Sequence, residues 1–241
     1  MPHLDFVGVG FARCGTTWLS KCLEEHPEIY MPPKKELHYF NDRKEKYNKN
    51  LSNLEPHFYS AGKNQRKGEF TPRYIINKTA LKRIKFQFPK IKVLVLLRDP
   101  VERLISQYNY FLYNKNKENN LDLKKAFNSF YRIDYIEKSL YGKYLNNLFQ
   151  IFDHNQVKIL FLDDVKNNPE QFISEIYDFI GVNKDFIPPS LRDKTNKSTQ
   201  IQGINYKQAT INKNIIRVNR LITFIPINIK RKIIYKLKKH K

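Results

Sequence analysis

Three short apolar runs stand out in the hydrophobic pattern of the chain. They are LDFVGVG at residues 4–10, KVLVLL at residues 92–97 and VKILFL at residues 157–162. Apolar runs of this length, without polar alternation, are typical of strands that are buried on both faces of a parallel sheet. We therefore predict three parallel core strands, the first of which ends at a glycine.

Between these strands lie segments in which apolar residues recur at helical spacing. Residues that start or end helices mark their boundaries. Asparagine or proline marks several helix starts, and proline or glycine marks several ends. The predicted helices are 16–25, 77–88, 100–113, 142–152 and 169–180, whereas residues 28–72 read as a loop-rich region. Alternating strands and helices predict an α/β fold with a central parallel sheet covered by helices on both faces.

Composition is compatible with one substantial domain. The chain has 241 residues, of which 41% are hydrophobic and 14% aromatic, enough for a buried core. The chain contains no uninterrupted apolar window of transmembrane length, and the N-terminus lacks the basic region of a signal peptide. With only Cys14 and Cys22 available, a reduced, cytoplasmic setting is the simplest expectation.

The positive charge is distributed unevenly. The formal net charge is +21, but residues 194–241 hold 13 Lys or Arg and no acidic residue, which leaves +8 for residues 1–193. A moderately basic core suits an anionic ligand, and a basic tail suits a membrane surface or a polyanion. Two alternatives stay open for the tail: peripheral membrane contact, or a packed helix with a frayed end in a chain rich in lysine.

The stretch GFARCGTTW, which follows the first strand, has the spacing of a phosphate-binding loop. Gly10 and Gly15 allow a tight turn in which backbone N–H groups point inward, and the next helix adds its dipole. A nucleotide triphosphatase has lysine after the second glycine, but here Thr16 and Thr17 follow and Arg13 carries the charge. We infer an anion that needs no Mg²⁺; an ordinary glycine turn is the alternative.

A second strand–helix junction carries another candidate anion site. Arg98 directly follows the strand 92–97, at the strand end where open α/β sheets bind ligands. Ser106 lies two helical turns further along, and an arginine with a hydroxyl suits a phosphate monoester. Pairing of Arg98 with Asp99 or Glu102 is the alternative. No histidine stands at a metal-ligand spacing with cysteine or acidic residues, so no metal site is predicted.

The two junctions together resemble a known family. RCGTTWL with HPEI, and then RDPVERLISQYNYF, are similar to the sulfotransferases that use 3′-phosphoadenosine 5′-phosphosulfate. KKELHYF at 34–40 and EFTPRYI at 69–75 resemble segments of the heparan-sulfate type of that family. The resemblance implies a P-loop-like three-layer fold, with a sulfotransferase domain over residues 1–225 and a basic tail over 226–241.

The resemblance also implies roles for individual residues. The residues that would hold the 5′-phosphosulfate are Arg13, Cys14, Gly15, Thr16 and Thr17. Arg98 and Ser106 would hold the 3′-phosphate. Lys197 and Ser198, in a segment similar to one that closes over the nucleotide, would touch that phosphate as well, unless the segment is an ordinary polar loop.

The acceptor must lose a proton during attack, which calls for a base. Glu36 occupies the segment where the resembling enzymes carry theirs, and His38 is the second candidate for base or acceptor-orienting group. Glu36 could instead pair with a neighbouring lysine, and His38 could be packed in the core. One departure is clear: Phe70 stands where the heparan type has a catalytic lysine, and either Arg73 or Lys35 could replace that cation.

The expected reaction is sulfuryl transfer from the nucleotide to a hydroxyl or amine of a carbohydrate or glycolipid. The leaving 5′-phosphate gains negative charge, which oriented N–H groups, Thr16 and Arg13 can stabilise without a metal. Two alternatives are a P-loop kinase-like phosphotransferase, disfavoured by Thr16, and a polyanion-binding protein, suggested by the net charge. The basic charge lies mainly in the tail, so no nucleic-acid partner is expected.

Overall fold

The structure, a computed structural model, describes residues 3–41, 47–115 and 136–193. It contains two compact units. The first comprises Met1–Leu97 and Leu148–Thr195, and the second comprises Arg98–Asn147 and Asn196–Lys241. The predicted domain boundary at residue 225, and the tail beyond it, lie outside the described residues.

A five-stranded parallel sheet lies in the first unit, with strand order β2–β3–β1–β4–β5. The strands are β1 Phe6–Gly10, β2 Ile29–Tyr30, β3 Arg66–Phe70, β4 Lys92–Leu97 and β5 Val157–Phe161. β1 is buried along its whole length and is flanked by β3 and β4, so it forms the centre of the sheet. The prediction of an α/β fold with a central parallel sheet is confirmed.

Helices connect these strands. In the described parts of the chain they are α1 Thr16–Glu24, α2 Lys78–Gln87, α3 Pro100–Lys115, α4 Tyr141–Phe149, α5 Leu162–Asn167 and α6 Pro169–Ile180. Short 3₁₀ turns occur at Glu55–Phe58, Tyr74–Ile76, Glu137–Ser139, His154–Gln156 and Pro189–Arg192. The five predicted helices are present, with ends that differ by at most three residues. None of the described helices is both long and apolar enough to cross a bilayer.

Local capping explains several of these helix ends. Asn77 accepts a hydrogen bond from the Ala80 amide at the start of α2, and Asn168 accepts one from the Gln171 amide at the start of α6. Gly181 ends α6 with φ 86°, a left-handed conformation that glycine adopts without steric penalty. Asn77 and Gly181 therefore start and end their helices as the sequence predicts.

The prediction for residues 28–72 is wrong in one respect, because β2 and β3 lie within this region. β3 reads RKGEF, a polar sequence, yet its last three residues are buried. It is buried because aromatic residues and glycines face each other across β1 and β3. Gly68 lies opposite Phe6, and Phe70 lies opposite Gly8. A Cβ atom on Gly8 would lie 2.3 Å from the Phe70 ring, so the ring occupies the space that the glycine leaves.

The start of α1 is tied to the chain beyond α6. The indole Nε1 of Trp18 donates to the carbonyl oxygens of Ser190, at 3.1 Å, and Leu191, at 3.3 Å. At the other end of the helix, the Glu25 carboxylate accepts from the amide of Ser190 at 2.9 Å and from its hydroxyl. One segment thus braces both ends of the helix that follows the glycine loop.

We expect Gly8→Ala to destabilise the first unit by about 1–3 kcal/mol, the usual effect of overpacking a core. The new methyl group would collide with the Phe70 ring and push β1 and β3 apart. The free energy of unfolding from urea titration measures the effect. Gly62→Ala is the control, since the nearest atom there is the flexible end of Gln65, at 3.3 Å. Equal stability of the two variants would contradict this account of β3.

Candidate functional site

The glycine loop joins β1 to α1 as the spacing predicted. Gly15 has φ 84° and immediately precedes the first residue of α1. A Cβ atom there would lie 2.6 Å from Cδ1 of Leu162, so both the backbone angle and the available space require glycine. Arg13 is also left-handed, at φ 71°, which is uncommon for a residue with a side chain. The backbone of the loop is therefore turned tightly at two points before the helix begins.

Among the described residues, no side chain caps the N-terminus of α1. The N-cap residue, Gly15, has no side chain, and the first turn contains no acidic residue. The first N–H groups of a helix need external acceptors, and the helix dipole favours a negative one. The Thr16 hydroxyl stands at the same end and is almost fully buried. This arrangement can hold an anion, as predicted from the sequence.

Lys35 brings a positive charge to this loop. Its Nζ atom lies 2.9 Å from Oγ1 of Thr17, in the first turn of α1, and 3.5 Å from Oε1 of Glu36. Burial lowers the pKa of Lys35, although the Glu36 carboxylate opposes that effect. Arg73, the other cation that the sequence offered in place of Phe70, is exposed. The structure therefore brings Lys35 to the loop.

Glu36 and His38 stand beside this lysine, with side chains that are 37% and 39% exposed. Nε2 of His38 lies 3.5 Å from Oε2 of Glu36, and its Nδ1 lies 3.3 Å from Oδ1 of Asn41. The ring pairs electrostatically with Glu36 only in its protonated form. His38 is not packed in the core, unlike Tyr39 and Phe40 on its C-terminal side, which are buried. Thr17, Lys35, Glu36 and His38 thus form a continuous polar row that starts at the glycine loop.

Glu69 is a buried acid that the sequence reading did not single out. Its side chain is 1% exposed and accepts a hydrogen bond from Oγ1 of Thr71 at 2.9 Å. Burial raises the pKa of Glu69 to about 7, and Glu36 adds to the rise, while hydrogen bonds from Tyr74, Thr71 and the Leu37 amide oppose it. The EFTPRYI segment was the only signal in the sequence for this position.

Phe70 occupies the position where the resemblance led us to expect a catalytic lysine. Its ring is 1% exposed and packs over Gly8 in the sheet, so position 70 belongs to the core in this chain.

The second unit contains the other predicted anion site. Nε of Arg98 lies 2.9 Å from Oε2 of Glu102, the ion pair that the sequence left open as an alternative. The two terminal nitrogens of Arg98 have no partner among the described residues. Asp99 caps α3 by accepting from the amides of Val101 and Glu102, both at 2.9 Å. Ser106 is buried and follows Glu102 by one helical turn, so these two residues share a face of α3.

Other predicted residues fall into two groups. Lys197 and Ser198 lie outside the described residues. Cys14 and Cys22 are buried thiols, and burial raises the pKa of the Cys22 thiol to about 12, so Cys22 is not a reactive group. Across the described ranges, no three or more His, Cys, Asp or Glu side chains are grouped so that they could hold a metal ion.

Comparison with protein families gives one match that covers most of the chain. The family model described as "Sulfotransferase domain" matches residues 4–217. That range includes the glycine loop, the row from Thr17 to His38, and both residues of the second predicted anion site.

Curated relatives match parts of the chain at low to moderate identity. "Membrane-associated sulfotransferase kil1" of Dictyostelium discoideum is 35% identical over 126 residues, which are 51% of this chain and 26% of that protein. "Heparan sulfate glucosamine 3-O-sulfotransferase 5" of Homo sapiens is 24% identical over 72% of this chain and 52% of its own length. The chain thus spans from a quarter to about half of the length of these relatives.

Solved structures support the fold. The sulfotransferase from Alicyclobacillus acidocaldarius is 24% identical, with a TM-score of 0.72 over 96% of this chain and 100% of that one. Mouse sulfotransferase SULT7A1, solved in complex with PAP, is 14% identical, with a TM-score of 0.55 over 100% of this chain and 90% of that one. At these identities the likeness shows a shared fold.

The buried carboxyl of Glu69 leads to a prediction about pH and stability. Its pKa is raised from 4.5 to about 7 in the folded protein, so its stabilising proton is fully present below pH 4.5 and is lost as pH rises through 7. We expect the wild type to lose about 3 kcal/mol more than Glu69→Gln between pH 4.5 and 8. Urea unfolding of both proteins at several pH values measures the difference. Parallel pH curves for the two proteins would contradict it.

Proposed function

Because the chain belongs to the sulfotransferase domain family, we propose that it transfers a sulfuryl group from 3′-phosphoadenosine 5′-phosphosulfate to a carbohydrate or glycolipid. The acceptor atom is a hydroxyl oxygen or an amine nitrogen. The observation that carries the proposal is the polar row, in which Lys35 links the Thr17 hydroxyl to the Glu36 carboxylate. An anion site and a general base thereby adjoin each other.

The residues of the first unit fit the sulfated end of this donor. The uncapped N–H groups of α1, the hydroxyls of Thr16 and Thr17, and the charges of Arg13 and Lys35 are all suited to an anion. When bound, the donor supplies the sulfuryl group and a phosphate as leaving group. The groups at the start of α1 are fixed in place before reaction, so they can stabilise charge on the departing oxygen without reorganisation.

The charge on Arg98 and the hydroxyl of Ser106 are assigned to the 3′-phosphate. In the structure, Glu102 takes only Nε of Arg98, which leaves the fork of two terminal nitrogens for a bidentate contact with a phosphate. Glu102 also holds the guanidinium in one orientation, which lowers the entropy that must be lost on binding.

Glu36 is the proposed general base. As the acceptor attacks sulfur, its proton passes to the Glu36 carboxylate and later to water. Lys35, between this carboxylate and Thr17, stabilises negative charge on the phosphate side. His38, on the other side of Glu36, can hydrogen-bond the acceptor and orient it. The row thus separates a cation for the leaving group from a base for the nucleophile.

A carbohydrate acceptor is supported by the names of two kinds of relative. One is the heparan sulfate glucosamine 3-O-sulfotransferase 5, and another is carbohydrate sulfotransferase 15 of Homo sapiens, 28% identical over 39% of this chain and 21% of its own length. We also propose a cytoplasmic setting, with peripheral contact between the basic tail 226–241 and an anionic membrane surface.

Binding of 3′-phosphoadenosine 5′-phosphate, the product nucleotide (PAP), tests the donor site. We expect Arg98→Ala and Ser106→Ala to weaken binding, by about tenfold or more for the arginine because charge-assisted hydrogen bonds are lost. Glu36→Gln should retain affinity and abolish turnover of radiolabelled donor with a panel of sugar acceptors. Titration calorimetry measures the affinities.

Arg192→Ala is the control for the arginine, since Arg192 is exposed and pairs with Glu170. A folded wild type with no affinity for the product nucleotide would overturn the proposed function. Mg²⁺-dependent ATP hydrolysis would support the kinase-like alternative.

Lys35→Met should lower kcat by about 10–100-fold, because the cation beside Thr17 is removed while the length of the side chain is kept. The measurement is sulfuryl transfer under donor saturation. Lys34→Met is the matched control, since Lys34 is the preceding residue and is exposed. Equal activity of the two variants would exclude Lys35 as the replacement for the expected cation.

A further inference from the structure

The backbone of the segment 36–40, which carries Glu36 and His38, is held by side chains from beyond β3. The amide of His38 donates to Oγ1 of Thr71 at 3.4 Å. The amide of Phe40 donates to the hydroxyl of Tyr74, also at 3.4 Å. These bonds fix the main chain on the C-terminal side of Glu36.

Glu69 is connected to this arrangement through Thr71. Its Oε2 atom accepts from the Thr71 hydroxyl at 2.9 Å, and the Tyr74 hydroxyl and the Leu37 amide act to lower the pKa of the carboxyl. The Thr71 hydroxyl therefore accepts from the His38 amide and donates to the buried Glu69 carboxylate, while the Tyr74 hydroxyl accepts from the Phe40 amide. We call Glu69, Thr71 and Tyr74 the 69–74 clamp.

The segment needs such support because its backbone is strained. Glu36 has φ 61° and His38 has φ 58°, both in the left-handed region that residues with side chains rarely adopt. Two such residues within three positions are unfavourable unless the surroundings impose them. This conformation is what places the Glu36 carboxylate between Lys35 and His38.

The choice of residue at position 69 is not explained by packing alone. Glu69 is 1% exposed, and its Oε1 atom has no hydrogen-bond partner in the described part of the chain. An apolar side chain would fill a core position without this penalty. The burial that raises the pKa of this carboxyl shows the same penalty. A buried acid is advantageous where several donors must be gathered at one point.

We propose that Glu69, Thr71 and Tyr74 are positioning residues that hold segment 36–40 so that Glu36 faces Lys35 and the glycine loop. The inference rests on the proposed function for its catalytic consequence, but the mechanical part stands on the contacts alone. In this chain, segment 69–75 thus positions Glu36 by holding the backbone of segment 36–40, while Phe70 packs in the core.

The experiment uses the full chain and three measurements. Amide hydrogen exchange with mass spectrometry reports on the peptide that covers residues 36–40, calorimetry reports the affinity for PAP, and release of PAP from the donor reports turnover. Turnover is followed with heparan sulfate as the acceptor probe and with water alone. The variants are Thr71→Val and Tyr74→Phe, which remove hydroxyls with little change of shape.

Thr79→Val and Tyr59→Phe are the matched controls, because Thr79 is exposed on α2 and Tyr59 is 72% exposed. In the clamp variants we expect amide exchange of 36–40 to quicken by about tenfold. We expect PAP affinity and the KM for the donor to change by less than about threefold, and kcat to fall by about 10–100-fold, since small misplacements of a reacting group have effects of this size.

Rescue by a conservative variant separates positioning from packing. Glu69→Gln keeps an acceptor oxygen for the clamp and should retain kcat within a few-fold, whereas Glu69→Ala should match the loss in Thr71→Val. If Glu69→Ala does not fold, the two hydroxyl variants decide the matter.

Unchanged exchange of 36–40 in both hydroxyl variants would overturn the inference, whatever the activity. Quicker exchange with undiminished kcat would overturn the positioning role. Absence of PAP binding by the wild type would instead count against the proposed function, while exchange, which needs no substrate, still judges the clamp.

Discussion

The register of β1 between its two parallel neighbours is the constraint on which the candidate site depends. The amide of Thr71 donates to the carbonyl of Gly8, and the amide of Phe11 donates to the carbonyl of Leu96, each at 2.9 Å. Parallel strands end at the same edge of a sheet, so these bonds bring the segment after β3 to the edge where the glycine loop begins. A slip of one residue would move each buried side chain of β3 to the opposite face of the sheet and separate Phe70 from Gly8.

The fold could be predicted wherever the sequence carries its own local signal. The apolar runs predicted β1, β4 and β5 because most residues of these strands are apolar, although β5 lies at the edge of the sheet and only two of its five residues are buried. β3 was missed because its buried half is Gly68-Glu69-Phe70, where burial comes from the opposite strand. A glycine that receives a ring from a neighbour is invisible to any pattern read along one strand.

The candidate site divides in a similar way. The glycine loop and Glu36 could be named as candidates from the sequence because motif and chemistry lie within a few consecutive residues. The choice between Lys35 and Arg73 could not, since it depends on which side chain reaches Thr17 in space. Glu69 was not predicted because an acidic residue is not expected in a core. Its structural role becomes apparent only when the amides and hydroxyls around it are considered together.

The bracing of α1 through Trp18 has a practical consequence. This residue is the single tryptophan in the chain, it lies two positions after Thr16, and its indole N–H is shared between two carbonyl oxygens of the 189–192 turn. Indole fluorescence from this protein therefore originates from one residue, next to the glycine loop. The emission wavelength and quenching of the natural chain would report on that helix directly, without any engineered label.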